Sequence, residues 1–385
     1  GKGATQVREA ASRARRIVVK IGSGVLTDGG ELRPGVLASI ARQVARLRDE
    51  GREVVLVSSG AIALGARDLG WDHPGHSIPE KQAAAAVGQI SLADLWRRGL
   101  GRHGRAVGQV LVTRTGLEDR ERFLNARRTL QTLLKLGAVP VVNENDTVAT
   151  EEIRFGDNDN LSATVVNLVG ADLLVILTDV EGLYESPPVE GEPTPPLVGV
   201  VERITAATRA AAGGSGSAFG RGGMVTKLEA ATSAARGGAS TVLCNGYRRD
   251  VLRRVAAGDP VGTLILAGNR LGSRKHWLAF TAKPRGRIAL DAGAVRAVCQ
   301  RGRSLLPAGV VRVEGRFGLG DAISCVGPDG LEVARGLAAY SAADIDRIKG
   351  QKAQRIDAVL GFSNGDEVVH RDDLVLLEDD GSQRD

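Results

Sequence analysis

The sequence predicts an α/β fold, a mainly parallel sheet sandwiched by helices, followed by a small β-rich C-terminal domain. Two patterns carry this expectation. From residue 16 to about 266, short apolar runs rich in β-branched residues alternate with longer stretches of helical length and Ala/Leu/Arg composition. Such alternation suits a parallel sheet covered on both faces. After Gly268 the pattern tightens to short strands separated by turns, as expected of a β-rich unit.

In chain order, the runs 17–21, 54–57, 107–112, 139–142, 173–177 and 241–243 read as buried strands, being short, apolar and β-branched. Between them, 37–50, 82–98, 122–136, 160–169 and 224–236 read as helices on length and propensity. Segment 186–196 (SPPVEGEPTPP) is a Pro-rich surface loop, and 211–223 is a Gly/Ser loop with no regular structure of its own. The second domain takes strands at 287–290, 310–314, 322–326, 332–336 and 374–377, with Asp329-Gly330 as a hairpin turn. The expected organisation is a basic N-terminal arm (1–15), an α/β domain (16–268), a linker (269–285), a β-rich domain (286–378) and an acidic tail (379–385).

Composition sets the outer limits. A chain of 385 residues fits two or three domains. At 43% hydrophobic and 25% charged it can bury a core, which excludes disordered and fibrous classes. With aromatics at only 3%, that core is mostly aliphatic. No apolar run approaches the ~20 residues of a membrane-spanning helix. Cys244, Cys299 and Cys325 are odd in number and far apart, so they suggest neither a disulfide framework nor a zinc site; a reducing, cytoplasmic setting is the simplest reading.

The net charge of +6 raises nucleic-acid binding as a class. Residues 285–385, however, hold 14 Lys+Arg against 16 Asp+Glu, a balance of −2. Residues 1–16 alone carry Lys2, Arg8, Arg13, Arg15 and Arg16 against Glu9, a balance of +4. This arm lacks the apolar stretch of a secretory signal, so a solvated tail or tag scar is expected, and the missing initiator Met fits trimming.

Ligands of such sheets bind beyond the carboxyl ends of the strands, and the polar motifs follow the apolar runs. Lys20-Ile21-Gly22-Ser23-Gly24 places a lysine and small residues after the first strand, suiting a phosphate. It is neither G-x-x-x-x-G-K-[ST] nor G-x-G-x-x-G. Ser58-Ser59-Gly60-Ala61 runs from the second strand into a helix, which fits an anion cradle or ordinary N-capping. Asn143-Glu144-Asn145-Asp146 and Gly156-Asp157-Asn158-Asp159-Asn160 are too dense in amides and carboxylates for capping alone. They suit an amino-acid head group, carboxylates accepting from its ammonium and amides donating to its carboxylate, or magnesium. Thr178-Asp179 follows the fifth run, and Gly220–Lys227 opens a helix with a lysine one turn in, an anion site by construction.

These strings resemble the glutamate 5-kinase branch of the amino acid kinase family, with a C-terminal PUA domain. The resemblance is carried by Val19–Ser23, Val57–Ile62, the DRERFLNAR string at 119–127, Asn143–Asp146, Gly156–Ser162 and Gly222–Lys227. In the C-terminal part it rests on Gly302, Ser304-Leu305-Leu306-Pro307 and His370-Arg371-Asp372-Asp373. It implies an amino acid kinase-like sheet, a PUA-like domain and ATP-dependent phosphorylation of the L-glutamate side-chain carboxylate. The product would be γ-glutamyl phosphate, in the first step of proline biosynthesis. It implies Lys20, Lys227 and Asp159 as catalytic residues, and Ser59, Gly60, Asn143, Asp146 and Asn158 as glutamate ligands. ATP contacts would come from Gly22, Ser23, Thr178, Asp179, Arg221, Gly222, Gly223, Met224, Val225, Thr226 and Lys227. The family usually has Thr at the position of Arg221. Mg2+ would arrive with ATP rather than on protein ligands, and no catalytic histidine is needed because the acceptor carboxylate is already ionised. Proline inhibition at a site overlapping the glutamate pocket, a homo-oligomer (dimer or tetramer) and contact with the next pathway enzyme are further implications.

Two other readings compete. A related kinase acting on another carboxylate, carbamate or nucleotide would share the sheet, but Asn143–Asp146 and Gly156–Asn160 favour an amino acid. An RNA-binding role would follow from the PUA resemblance and from Arg285, Arg287, Arg296, Arg301 and Arg303, but the negative balance of that region weighs against RNA.

Overall fold

A computed structural model of the chain describes residues 8–149, 158–213, 223–267, 278 and 282–377. Contacts divide it into two units, Gly1–Arg270 and Leu271–Asp385.

From Arg16 the first unit runs through β1 (Arg16–Ile21), α1 (Pro34–Asp49), β2 (Glu53–Ser58), α2 (Ala61–Asp68) and α3 (Ile78–Gly101). It continues through β3 (Val107–Val112), α4 (Arg120–Lys135), β4 (Val139–Glu144), α5 (Asp159–Val169) and β5 (Leu173–Thr178). It closes with β6 (Val200–Val201), α6 (Met224–Arg236), β7 (Ser240–Asn245) and β8 (Thr263–Ile265). The strands form one sheet in the order β3-β4-β2-β1-β5-β7-β8-β6. Its described pairings are parallel except β7 with β8, which is antiparallel.

Alternation along each strand splits the core into two layers. Ile17, Val19 and Ile21 of β1 pack with Ile40 and Val44 of α1 and with Leu92 and Trp96 of α3. Val18 points the other way, into a cluster with Leu130 of α4, Val165 and Leu168 of α5, and Ala231 of α6. Both faces are thus covered, which is why β1, β2 and β5 read as unbroken apolar runs.

The helix expected at 224–236 has those bounds, whereas two others start earlier than periodicity suggested because side-chain caps set them. α3 begins at Ile78 rather than 82: Ser77 Oγ accepts from the Glu80 amide and Pro79 occupies the first turn. α4 begins after Asp119, whose carboxylate accepts from the Arg122 amide at 2.9 Å. α2 packs very closely on α3. A Cβ at Gly65 would lie 1.7 Å from the Ala84 carbonyl oxygen, and one at Gly88 would lie 1.7 Å from that of Ala61. These two glycines let the helix backbones touch, which fixes α2 and the turn before it. Trp96 then ties α3 to the end of β2, its indole N–H donating to Ser58 Oγ at 2.8 Å.

The expected solvated arm is corrected for its second half. Residues Glu9–Ser12 are helical, Ala11 and Ala14 are buried, and Arg8 is only 5% exposed. The Arg8 guanidinium donates to the carbonyls of Val261 (2.9 Å), Gly199 (2.9 Å) and Gly262 (3.2 Å). Burial lowers its pKa from the ordinary arginine value. Local charge density suggested a tail because the three acceptors lie far off in sequence.

The second unit has a five-stranded sheet. Its strands are β9 (Gly286–Leu290), β10 (Val310–Gly315), β11 (Ala322–Val326), β12 (Glu332–Leu337) and β13 (Leu374–Leu376), in the order β10-β9-β11-β12-β13. β9 pairs parallel with β11, and the other pairings are antiparallel. Asp329-Gly330 does lie in the β11–β12 turn, with Gly330 at φ 80°. Helices at Ala292–Cys299 and Ala342–Ile348 bury Val298, Ile345 and Ile348 against this sheet's core, elements the strand pattern did not suggest.

Candidate active site

Parallel strands end together, so residues distant in sequence converge at their carboxyl edge. Lys20 sits within β1 opposite Val57 of β2 and Ile176 of β5. Asp159 is the first residue of α5, and Lys227 is the fourth of α6. Lys20 Nζ lies 2.8 Å from Asp159 Oδ1, and Lys227 Nζ lies 3.3 Å from Oδ2. Thr226 Oγ1 also donates to Oδ2, at 2.8 Å. All three charged residues are buried, at 5%, 1% and 7% exposure for Lys20, Asp159 and Lys227. Burial pushes the Asp159 carboxyl up, but the two ammonium groups and the Thr226 hydroxyl outweigh it and hold it below the usual carboxylate range. The N-terminus of α5 works in the same direction. Asp159 therefore stays ionised and fixes two amines on one side of the sheet edge.

Gly22 completes this end. A Cβ there would lie 3.5 Å from Lys20 Nζ and 3.8 Å from the Leu177 carbonyl, so this backbone passes within van der Waals reach of the amine. The Ser59 amide donates to the Ile21 carbonyl at 3.0 Å, which sets the β1 and β2 loops side by side. Gly60 follows at φ 109°, a left-handed geometry that favours glycine, and starts α2.

Next to the lysines is a cavity of about 310 Å³. Ser59, Gly60, Asn143, Asp146 and Asn158, the residues expected to bind substrate, all line it, as does Ser23. Asn158 Nδ2 donates to Ser59 Oγ and to Asn143 Oδ1, both at 2.9 Å. Asn143 Nδ2 in turn donates to Gln89 Oε1 at 2.9 Å, and Gln89 Nε2 to Gln109 Oε1 at 3.0 Å. Asn158 and Asp159 are adjacent in sequence, so one turn of chain joins the amide network to the lysine pair. Burial raises the Asp146 carboxyl to about 6. Six lining residues were not among the expected site residues: Ala61, Ile62 and Ala63 at the start of α2, and Pro74, Lys81 and Glu144. Glu144 was visible in the Asn143–Asp146 string, whereas Lys81 and the supporting Gln89 are helix residues with no local signal.

The expected nucleotide contacts divide. Thr178 ends β5, buried, and its hydroxyl donates to Asp179, which is exposed. Gly223 caps α6, Met224 through Lys227 form its first turn, and Val225 lines a separate cavity of about 390 Å³ beside α6. Arg221 and Gly222 lie outside the described residues, as do Gly156 and Asp157. Asp159, the carboxylate nearest the lysines, is already engaged by Lys20, Lys227 and Thr226. Among the described residues there is no cluster of three or more His, Cys, Asp or Glu side chains suited to a metal ion.

Residues 15–245 match the amino acid kinase family and residues 286–360 match the PUA domain. The first match spans more than half the chain: this protein belongs to the amino acid kinase family. The relatives narrow the branch. Glutamate 5-kinase from Geobacter sulfurreducens is 51% identical over 368 residues, covering 95% of this chain and 98% of that protein. Glutamate 5-kinase from Pelobacter propionicus is 51% identical over 372 residues, covering 96% and 100%. The namesake from Pseudomonas putida is 50% identical over 373 residues, covering 96% and 100%.

Proposed function

We propose that this chain is an ATP-dependent kinase of L-glutamate that forms γ-glutamyl phosphate, the first intermediate of proline biosynthesis. The observation that carries the reading is the meeting of Lys20 and Lys227 on Asp159 beside a cavity lined by amides and carboxylates. Phosphoryl transfer asks a protein mainly for alignment and charge neutralisation. The two amines meet the terminal phosphate of ATP, with Gly22 and the start of α6 supplying close backbone approach. Ser59, Gly60 and Asn158 hold the side-chain carboxylate in line with it. One carboxylate oxygen attacks the γ-phosphorus, the bond to the bridging oxygen breaks, and ADP leaves with that electron pair. The nucleophile is ionised at neutral pH, so no base is required. Asp146 accepts from the substrate ammonium. Glutamate 5-kinase relatives at about half identity over nearly the whole chain support the same substrate pair.

Proline inhibition at the glutamate cavity, a homo-oligomeric state, a cytoplasmic setting and contact with the next pathway enzyme belong to this reading. In support of the setting, no described helix is long and apolar enough to cross a membrane. The test is an assay with L-glutamate, ATP and hydroxylamine. ATP-dependent glutamyl hydroxamate is expected, reduced by added proline. ADP release with no hydroxamate would overturn the acyl phosphate.

A further inference from the structure

Among the described residues, Lys81 is the single cation whose side chain lines the cavity beside the lysine pair. It enters from the fourth position of α3, half-buried, and its backbone amide is already used by the Ser77 carbonyl at 3.0 Å. Its neighbour Glu80 is turned away, accepting from the His76 amide at 2.7 Å. Among the described residues no carboxylate lies within 4 Å of the Lys81 ammonium, although Glu144 and Asp146 line the same cavity. The cavity therefore carries a cation, Lys81, that is paired with neither of the two carboxylates beside it, while Lys20 and Lys227 are taken up with Asp159.

A substrate of the proposed kind brings three charges. Its reacting carboxylate has to sit at the Lys20–Lys227 end. Its ammonium is matched by Asp146. Its α-carboxylate needs a cation, because burying a carboxylate without one is costly, and Lys81 is what the wall offers. We propose that Lys81 pairs with the substrate α-carboxylate and is the residue that selects an α-amino dicarboxylate over a monocarboxylate. The inference rests on the reading of the site as a glutamate kinase. Lys81 is a specificity residue, remote from the reacting atoms, so its effect falls on substrate affinity rather than on the transfer step.

The test compares L-glutamate with L-isoglutamine, whose α-carboxylate is replaced by a neutral amide while the side-chain carboxylate remains. Both are followed as substrates, and isoglutamine also as a competitor of glutamate, for the parent, Lys81→Met and Lys81→Arg. In Lys81→Met the KM for glutamate is expected to rise at least ~10-fold, the value of one lost charge-assisted contact. The KM for ATP stays put, and the parent's preference for glutamate over isoglutamine collapses toward parity. Lys81→Arg keeps most of that preference. Equal losses on both ligands would make Lys81 structural, and an unchanged preference would make it irrelevant; either overturns the proposal. A parent enzyme that phosphorylates neither ligand overturns the glutamate reading itself, and the Lys81 assignment falls with it.

Discussion

Asn143 donates its amide to Oε1 of Gln89, at 2.9 Å, and this orients the amide so that its oxygen faces Asn158. Gln89 is held in turn by Gln109 on the edge strand β3. Gln89→Leu removes the acceptor and frees Asn143 to rotate. One such hydrogen bond is worth about 1–1.5 kcal/mol, so a rise of roughly tenfold in the KM for glutamate is expected, with the KM for ATP unchanged. Gln89→Glu keeps the acceptor and keeps most of the affinity. Equal effects on both substrates in steady-state kinetics would refute a positioning role.

Lys20→Ala and Lys227→Ala are each expected to lower kcat more than ~10-fold, in line with the loss of one group that stabilises transition-state charge. Each variant leaves Asp159 with the other lysine and Thr226, so no lone charge is buried and the fold survives. Circular dichroism with steady-state kinetics checks both halves. Near-parent turnover in both variants would remove the mechanism.

Asp146 gives the site a pH dependence. Burial raises its carboxyl to about 6, and accepting from an ammonium requires the ionised form. As pH falls through about 6 the neutral form grows, so kcat/KM for glutamate should fall on the acid side of 6 while the KM for ATP holds. The sign for stability is the reverse. A raised carboxyl favours the folded state while protonated, fully so below its ordinary value of 3.8, and loses that benefit as pH rises through about 6. Asp146→Asn, always neutral, should bind glutamate poorly yet melt no lower than the parent at pH 8. A lower melting temperature would contradict this.

Gly88→Ala tests the contact between α2 and α3. The added methyl meets the Ala61 carbonyl, so α2 must shift. Overpacking of this kind costs about 1–3 kcal/mol, read as a drop of several degrees in thermal melting. Ala61 lines the cavity, so the KM for glutamate should rise as well. A variant with parent melting and parent KM would mean that the helices have slack.

Lys20, Ser59 and Asn143 were legible because they lie at the ends of β-branched runs, and a parallel sheet gathers those ends. Asn158 and Asp159 were legible because amides and carboxylates crowd the stretch before a helix, and Lys227 because glycine precedes its helix. Lys81 and Gln89 were not. Both lie inside α3, where a lysine or glutamine looks like any solvated helix residue until Gly65 and Gly88 bring α2 against it. Strand β8, three residues long, left too little periodicity to register. Arg8 was read from nearby charges, whereas its partners are carbonyls 191 to 254 positions away.

That last separation has a bearing on biosynthesis. The acceptors of the Arg8 guanidinium reach to Gly262, 254 residues later, so at elongation rates of ~5–20 residues per second the arginine waits roughly 13–50 s for them. The seam between Arg8 and the segment leading into β8 closes only after most of the kinase unit has left the ribosome. Until then the nascent protein must keep that guanidinium hydrated, and a premature stop before residue 262 would leave the seam permanently open.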